Sequence, residues 1–126
     1  MSGQYVDGNT KSFLNGSSVI GQGLRVKLTT GALALAGATD AEIGVADRTL
    51  VASEHGAVRL RTSSGTTPMV ADGAISNGAA VYTAASGQVS STEGTGAYQI
   101  GIALEAATAA GDIIEVLRDA HMDLAT

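Results

Sequence analysis

Leu24-Arg25-Val26-Lys27-Leu28 is the stretch on which the fold reading turns. Its apolar side chains fall at alternate positions with two cations between them, the period of two that a half-buried β-strand requires. Leu24, Val26 and Leu28 are therefore expected to face a core, and Arg25 and Lys27 to face water. Immediately after it, Thr29-Thr30-Gly31 reads as a turn, and Ala32-Leu33-Ala34-Leu35-Ala36 suits either a strand or a short helix. Ile43-Gly44-Val45-Ala46 and Ala57-Val58-Arg59-Leu60-Arg61 alternate again, with Val58 and Leu60 expected inward and the arginines outward.

The same grammar runs through the C-terminal half. Met69-Val70 precedes the turn pair Asp72-Gly73, and Asn77-Gly78 is the strongest short turn signal in the chain. Ala79 to Thr83 reads as a short strand, Ser86-Gly87 as a turn, and Gln88 to Ser91 as its return. In Tyr98 to Leu104, Tyr98, Ile100, Ile102 and Leu104 are expected on one side, with Gly101 and Ala103 opposite. A glycine inside a strand suggests that another backbone comes close there. Ala106 to Gly111 reads as a loop or a single helical turn, and Ile113 to Leu117 as a last strand. Short strands separated by glycine-bearing turns predict an all-β domain, a small β-sandwich or barrel-like arrangement of antiparallel strands.

Composition agrees with a lightly built β domain. Of 126 residues, Val, Ile, Leu and Phe make up 28, while Ala and Gly make up 39, so large core side chains are scarce. Thr, Val and Ile add to 30, and β-branched residues favour pleated, half-buried surfaces. Such a domain is expected to lean on neighbouring copies to finish its core.

The ends read differently. Residues 1–23 are rich in Gly, Ser, Asn and Gln, with apolar residues in isolated pairs: Tyr5-Val6, Phe13-Leu14 and Val19-Ile20. This predicts a flexible polar N-terminal arm, either a frayed end or a segment that orders on a partner. The β domain is expected over 24–118, and 119–126 reads as a polar C-terminal tail.

Little chemistry is legible. The net charge of −5 and the absence of any Lys/Arg cluster argue against direct nucleic-acid binding. There is no cysteine, which excludes disulfides, thiolate catalysis and Cys-based metal sites. No apolar run reaches the length of a membrane span, and the start shows no basic and apolar leader, so a cytoplasmic product without membrane attachment is expected. A hydrolytic triad would need His55 or His121 as base; His55 lies in Ser53-Glu54-His55-Gly56, an expected exposed turn, and no Gly-x-Ser-x-Gly elbow surrounds a serine. Asp119, His121 and Asp123 would share one face of an extended strand, a spacing that suits a divalent ion, but a solvated tail is the simpler reading, and no metal site is assigned. Gly21-x-Gly23 and Gly94-x-Gly96 lack the third glycine or lysine of a phosphate loop. Asn15-Gly16-Ser17 fits a glycosylation sequon and, without a leader, means a turn. Only four aromatics are present, too few for a sugar-stacking platform. No enzyme activity and no cofactor are expected.

The order of segments carries more than any one of them. Gly23 to Leu28, Glu42 to Ala46, Gly56 to Leu60, Asn77 to Tyr82, Ser86 to Val89, Gln99 to Ala107 and Gly111 to Leu117 together resemble the small capsid cement, or head decoration, proteins of tailed bacteriophages, over about residues 20–118. The resemblance implies an all-β domain that forms homotrimers on the outer surface of the virion capsid. It also implies binding to the major capsid protein after shell expansion, and reinforcement against the pressure of packaged DNA. The family offers no catalytic residues to carry over. The longer polar start departs from it, and Tyr5, Val6, Phe13 and Leu14 are the candidate capsid-binding residues, filling pockets or extending a sheet edge. The alternative is a non-catalytic β module of a phage tail or fibre assembly.

Overall fold

The computed structural model describes residues 9–63 and 65–124, the side chains of 120–124 excepted. Ten strands follow one another: β1 (Thr10–Leu14), β2 (Arg25–Thr29), β3 (Ala32–Leu35), β4 (Gly44–Ala46), β5 (His55–Leu60), β6 (Thr66–Val70), β7 (Ala80–Thr83), β8 (Val89–Ser90), β9 (Tyr98–Ala103) and β10 (Ile113–Leu124). They form two five-stranded antiparallel sheets, ordered β1-β5-β4-β2-β3 and β6-β10-β9-β7-β8. The chain completes the first sheet before it starts the second. Each sheet curls until its outer strands meet: Asn15, just past β1, bridges Leu33 of β3, and Ala71, just past β6, bridges Val89 of β8. The result is two small barrel-like units side by side; the all-β antiparallel class was expected, the division into two units was not. Curling removes most of the open edge that a flat sheet would offer to aggregation.

Each unit has its own core. Ile20, Val26, Leu33, Ala46, Leu50 and Val58 fill the first, with Phe13, Leu24, Leu35 and Ile43 packed against them. The second holds Met69, Val81, Val89, Ile100, Ile114 and Val116 among others, together with Val45 from β4. Val45 and Ala46 are adjacent, yet they serve different cores, so β4 is covered on both faces. Gly23 fastens the joint: its N–H donates to Ala46 O (2.9 Å), and its carbonyl accepts from Val70 N of β6 (3.2 Å).

Two glycines show why this sequence curls as it does. Thr30 and Gly31 both have positive φ (53° and 83°), the backbone of a tight two-residue hairpin between β2 and β3. A Cβ on Gly101 would lie 2.0 Å from the carbonyl oxygen of Leu117, so β9 and β10 approach each other as the strand glycine suggested.

Several expectations are corrected. In β2, Val26 is buried as expected, but so is Arg25, while Leu28 is 44% exposed. The face of β2 away from the first core is covered by the second unit, and the strand runs out of cover before Leu28. In β9, two residues of β7 (Val81, Tyr82) span three of β9 (Gly101 back to Gln99), so Ile100 is an extra residue. This bulge reverses the faces: Ile100 and Ala103 are buried, and Ile102 and Leu104 turn outward. The Ala32 run is a strand. The N-terminal boundary at residue 23 also moves. Thr10–Leu14 is a strand of the first sheet, and Asn15 and Ile20 are buried, so only the part before residue 9, outside the described residues, is left of the expected arm. At the other end, β10 continues through Leu124, with Asp123 paired to Gln99, where a tail after residue 118 was expected.

Candidate functional site

The buried polar groups meet where the two units touch. Arg25 and Glu42 are fully buried, and the Arg118 side chain is 6% exposed. Glu42 divides its carboxylate: Oε1 accepts from Arg25 Nη1 at 3.2 Å, and Oε2 accepts from Arg118 Nη2. Arg25 belongs to the first sheet and Arg118 to the second, so one carboxylate ties the units together. Arg25 also donates to the carbonyls of Gln88 (3.0 Å), Gly37 (3.0 Å), Asp40 (3.3 Å) and Ala84. That fork of donors suits a guanidinium and no other side chain. Burial lowers the pKa of both arginines, and the Glu42 charge opposes that shift; both remain cationic at any ordinary pH.

Apart from Leu28, the exposed large apolar side chains of the described residues gather in two places. On the outer face of β9 and β10, Ile102 (41% exposed), Leu104 just past β9 (39%), Ile113 (48%) and Leu117 (47%) flank the exposed Glu115, with Leu117 directly opposite Ile102. β10 alternates strictly here: Ile114 and Val116 point inward, and their neighbours point out. The second group, at one end of the first unit, comprises Leu14 (40%), Val19 (60%) and Val51 (51%). Ile20 and Leu50 exchange backbone hydrogen bonds (3.0 and 2.8 Å) as an antiparallel pair, which sets Val19 and Val51 opposite each other one step along. Asn15 braces this end from within. Its Nδ2 donates to the carbonyls of Ser18 (3.1 Å), Leu50 (3.3 Å) and Val51 (3.3 Å), and its Oδ1 accepts from Ser17 N (3.0 Å), so the Asn15-Gly16-Ser17 turn forms as expected.

Of the four candidate contact residues, Leu14 lies in this second group. Phe13 is half-buried against the first core, with Lys11 Nζ 5.8 Å from its ring centroid. Tyr5 and Val6 lie outside the described residues. Val19 was visible in the sequence as an apolar residue in a polar stretch, whereas Val51 carried no signal, because its place beside Val19 depends on pairing across 32 residues. His55 is exposed at the start of β5, opposite Leu14. Asp119 is exposed on β10, and the side chains of His121 and Asp123 lie outside the described ones. Among the described residues no group of His, Asp and Glu is arranged to hold a metal ion, no pocket opens, and no helix is long and apolar enough to cross a membrane.

Two curled antiparallel sheets with exposed apolar side chains on the outside define an all-β protein. The comparisons make that specific: the phage cement protein family matches residues 16–118, and the chain belongs to that family. It is thus a structural virion protein, associated with the phage capsid. Its fold is similar to the crystal structure of head fiber gp8.5 N base in bacteriophage phi29, with a TM-score of 0.73 and 16% identity, covering 88% of this chain and 95% of that one. No curated protein matches the sequence.

Proposed function

We propose that this protein is a head decoration protein: a homotrimer on the outer surface of the expanded phage head that reinforces the shell against packaged DNA and catalyses nothing. The observation that carries the reading is membership of the cement family over 16–118. The two separate apolar groups support it. A ring of three identical chains with heterologous contacts uses surfaces that differ from those free to grip a shell, and three weak grips held together gain avidity. The β9/β10 face serves contact between copies. The Leu14, Val19 and Val51 end, with Tyr5 and Val6 from the segment before it and Phe13 beneath, serves contact with the major capsid protein. A net charge of −5 suits a part held away from DNA. Light scattering on the purified protein should give three copies per particle, and the protein should bind expanded empty heads, ignore unexpanded ones, and raise the temperature at which heads rupture. A monomer that leaves expanded heads unprotected rejects the reading.

The second reading, a base module of a phage fibre, is favoured by the fold likeness to the head fiber base. It predicts binding at few sites per head, where cement covers the lattice; the number of copies per head decides between them.

A further inference from the structure

The two sheets are one design used twice. Their strand orders match step for step, β1-β5-β4-β2-β3 against β6-β10-β9-β7-β8, and so do their registers. Arg25 pairs with Val45 and Val45 with Arg59; Ala80 pairs with Ile102 and Ile102 with Leu117. The closing bridges correspond, Asn15 to Leu33 with Ala71 to Val89, and Ile20 to Leu50 with Ile75 to Ala107. Gly23 N donates to Ala46 O at 2.9 Å, and Gly78 N to Ala103 O at 2.7 Å. Thr30-Gly31 and Ser86-Gly87 carry the same paired positive φ (53° and 83°, 58° and 75°). Little of this shows in the sequence: Ile20 to Val26 and Ile75 to Val81 share only Ile, Gly and Val at matching places.

The two halves differ in what covers them. Arg25, Val45 and Arg59 form the rung of the first unit on which the second unit rests. Arg25 donates to the carbonyls of Ala84 and Gln88 in the β7–β8 hairpin, Val45 packs in the second core, and Arg59 Nη2 donates to Thr66 O at 3.1 Å. The matching rung of the second unit is Ala80, Ile102 and Leu117, and among the described residues nothing covers it in that way. Ile102 and Leu117 are 41% and 47% exposed, where Val45 is fully buried. The hairpins are as unequal. Thr83, at the end of β7, is 3% exposed and donates to Ala38 O of the first unit at 2.6 Å. Its counterpart on β2 is Leu28, 44% exposed. Each chain thus carries one occupied and one open rung, one seated and one free hairpin, and the open rung and the free hairpin both present apolar side chains.

We propose that these two meet between chains: the β2–β3 hairpin of one copy, led by Leu28, seats on the Ala80, Ile102 and Leu117 rung of the next. A second copy is the occupant because the same hairpin-on-rung contact is already made inside each chain. The inference rests on the reading that β9 and β10 serve contact between copies, and adds what they touch. Such a contact joins unlike surfaces, so its repetition closes a ring or runs on as a fibre. Glu115, the charge on that face, stays at the rim, its carboxylate accepting from Thr66 Oγ1 at 2.6 Å. Ala80 stands where the first unit has Arg25, so the contact between copies is the more apolar of the two.

The chain has no cysteine, so disulfide trapping reports only on introduced thiols. Co-expressed Leu28→Cys and Ile102→Cys chains should form a disulfide between copies on mild oxidation, and neither variant should do so alone. Leu28→Cys with Val51→Cys reports chance collision and should give far less. Leu28→Ser should weaken self-association about tenfold or more, as loss of a buried leucine contact implies, with circular dichroism unchanged. A protein that associates yet cross-links only through Ile102→Cys with itself, or no better than the control pair, or that associates fully as Leu28→Ser, overturns the hairpin seat and leaves the contact between copies standing. A protein that stays monomeric at every concentration, with no cross-link in the mixed pair, overturns both.

Discussion

β2 and β10 begin from the same kind of pattern and end with opposite surfaces. Both alternate over their first residues, yet β2 buries a charge, Arg25, and exposes an apolar residue, Leu28. β10 keeps its alternation, but both of its faces carry large apolar side chains, Ile114 and Val116 within, Ile113 and Leu117 without. The difference lies in what each strand meets. β2 is sandwiched between its own core and the second unit, so its polar face had to be satisfied internally. On the outer face of β10, Ile113 and Leu117 stay exposed on either side of Glu115, which accepts from Thr66 Oγ1 at 2.6 Å. Alternation therefore tells which residues share a face, and the rest of the assembly decides which face is wet.

The strongest way to break the comparison is to remove the carboxylate that makes a buried arginine tolerable. Glu42→Ala strands two buried guanidiniums, and losing one partner of a buried ion pair typically costs about 3–5 kcal/mol. In a domain of this size that approaches the whole stability, so the variant should unfold at low urea or fail to accumulate. Replacing Arg25, Glu42 and Arg118 together with Met, Leu and Met should recover most of the loss, because an apolar core of similar volume serves as well. If Glu42→Ala unfolds at the same urea midpoint as the parent, the latch described here does not hold the units together.

Gly101→Ala comes next. Its methyl would meet the Leu117 carbonyl at 2.0 Å, and backbone offers no flexible end to swing aside. Overpacking of this kind costs about 1–3 kcal/mol, read as a lower urea midpoint with unchanged slope.

Changes on the outer face of β10 should invert that result. Leu117→Ser and Ile102→Ser remove exposed side chains, so monomer stability should move by no more than about 0.5 kcal/mol. Self-association should weaken strongly, seen as a concentration-dependent drop in mass by sedimentation. Val51→Ser should leave association intact and reduce head binding. If the two patches exchange these effects, their assignments exchange too.

Much of this fold is legible in the chain. The Thr29-Thr30-Gly31 and Asn77-Gly78 turns, the period of two around Val58, and the close approach at Gly101 all follow from local chemistry. What was hidden required a partner from far along the chain. Arg25 reads as a solvent residue until the carbonyls of Ala84 and Gln88 are brought over it. The bulge at Ile100 sits beside Gly101, but a strand glycine fits a close backbone approach as well as a bulge, so the reversal of faces could not be read from it. Thr10–Leu14 looks like an arm because β1 lies at the margin of its sheet, half-buried, and owes its shape to pairing with β5. For the candidate surface, Leu14 was readable as an apolar residue in polar surroundings; its companions Val19 and Val51 came together only through the Ile20–Leu50 rung.

The smallest effect separates the buried ion pair from an exposed one a short distance away. Asp40 accepts from Lys27 Nζ at 2.9 Å and from Gly37 N at 2.8 Å, and these bonds, the Lys27 one foremost, hold its carboxyl below the usual range. Its side chain is 33% exposed, and that of Lys27 37%, so water screens the pair and its worth is below about 1 kcal/mol. A depressed folded pKa means that the unfolded chain takes up its proton first as pH falls. The contribution is therefore present above the ordinary aspartate pKa near 4 and is lost as pH drops through the lower folded value. Asp40→Asn should cost a fraction of a kcal/mol at pH 7, lose that penalty as pH falls through the lowered folded pKa, and show it reduced in 1 M salt. The Arg25–Glu42 pair, shielded from ions, should keep its contribution in the same salt. A variant as costly at pH 2 as at pH 7 would mean that Asp40 acts through the shape of the Gly37 turn and that its charge is incidental.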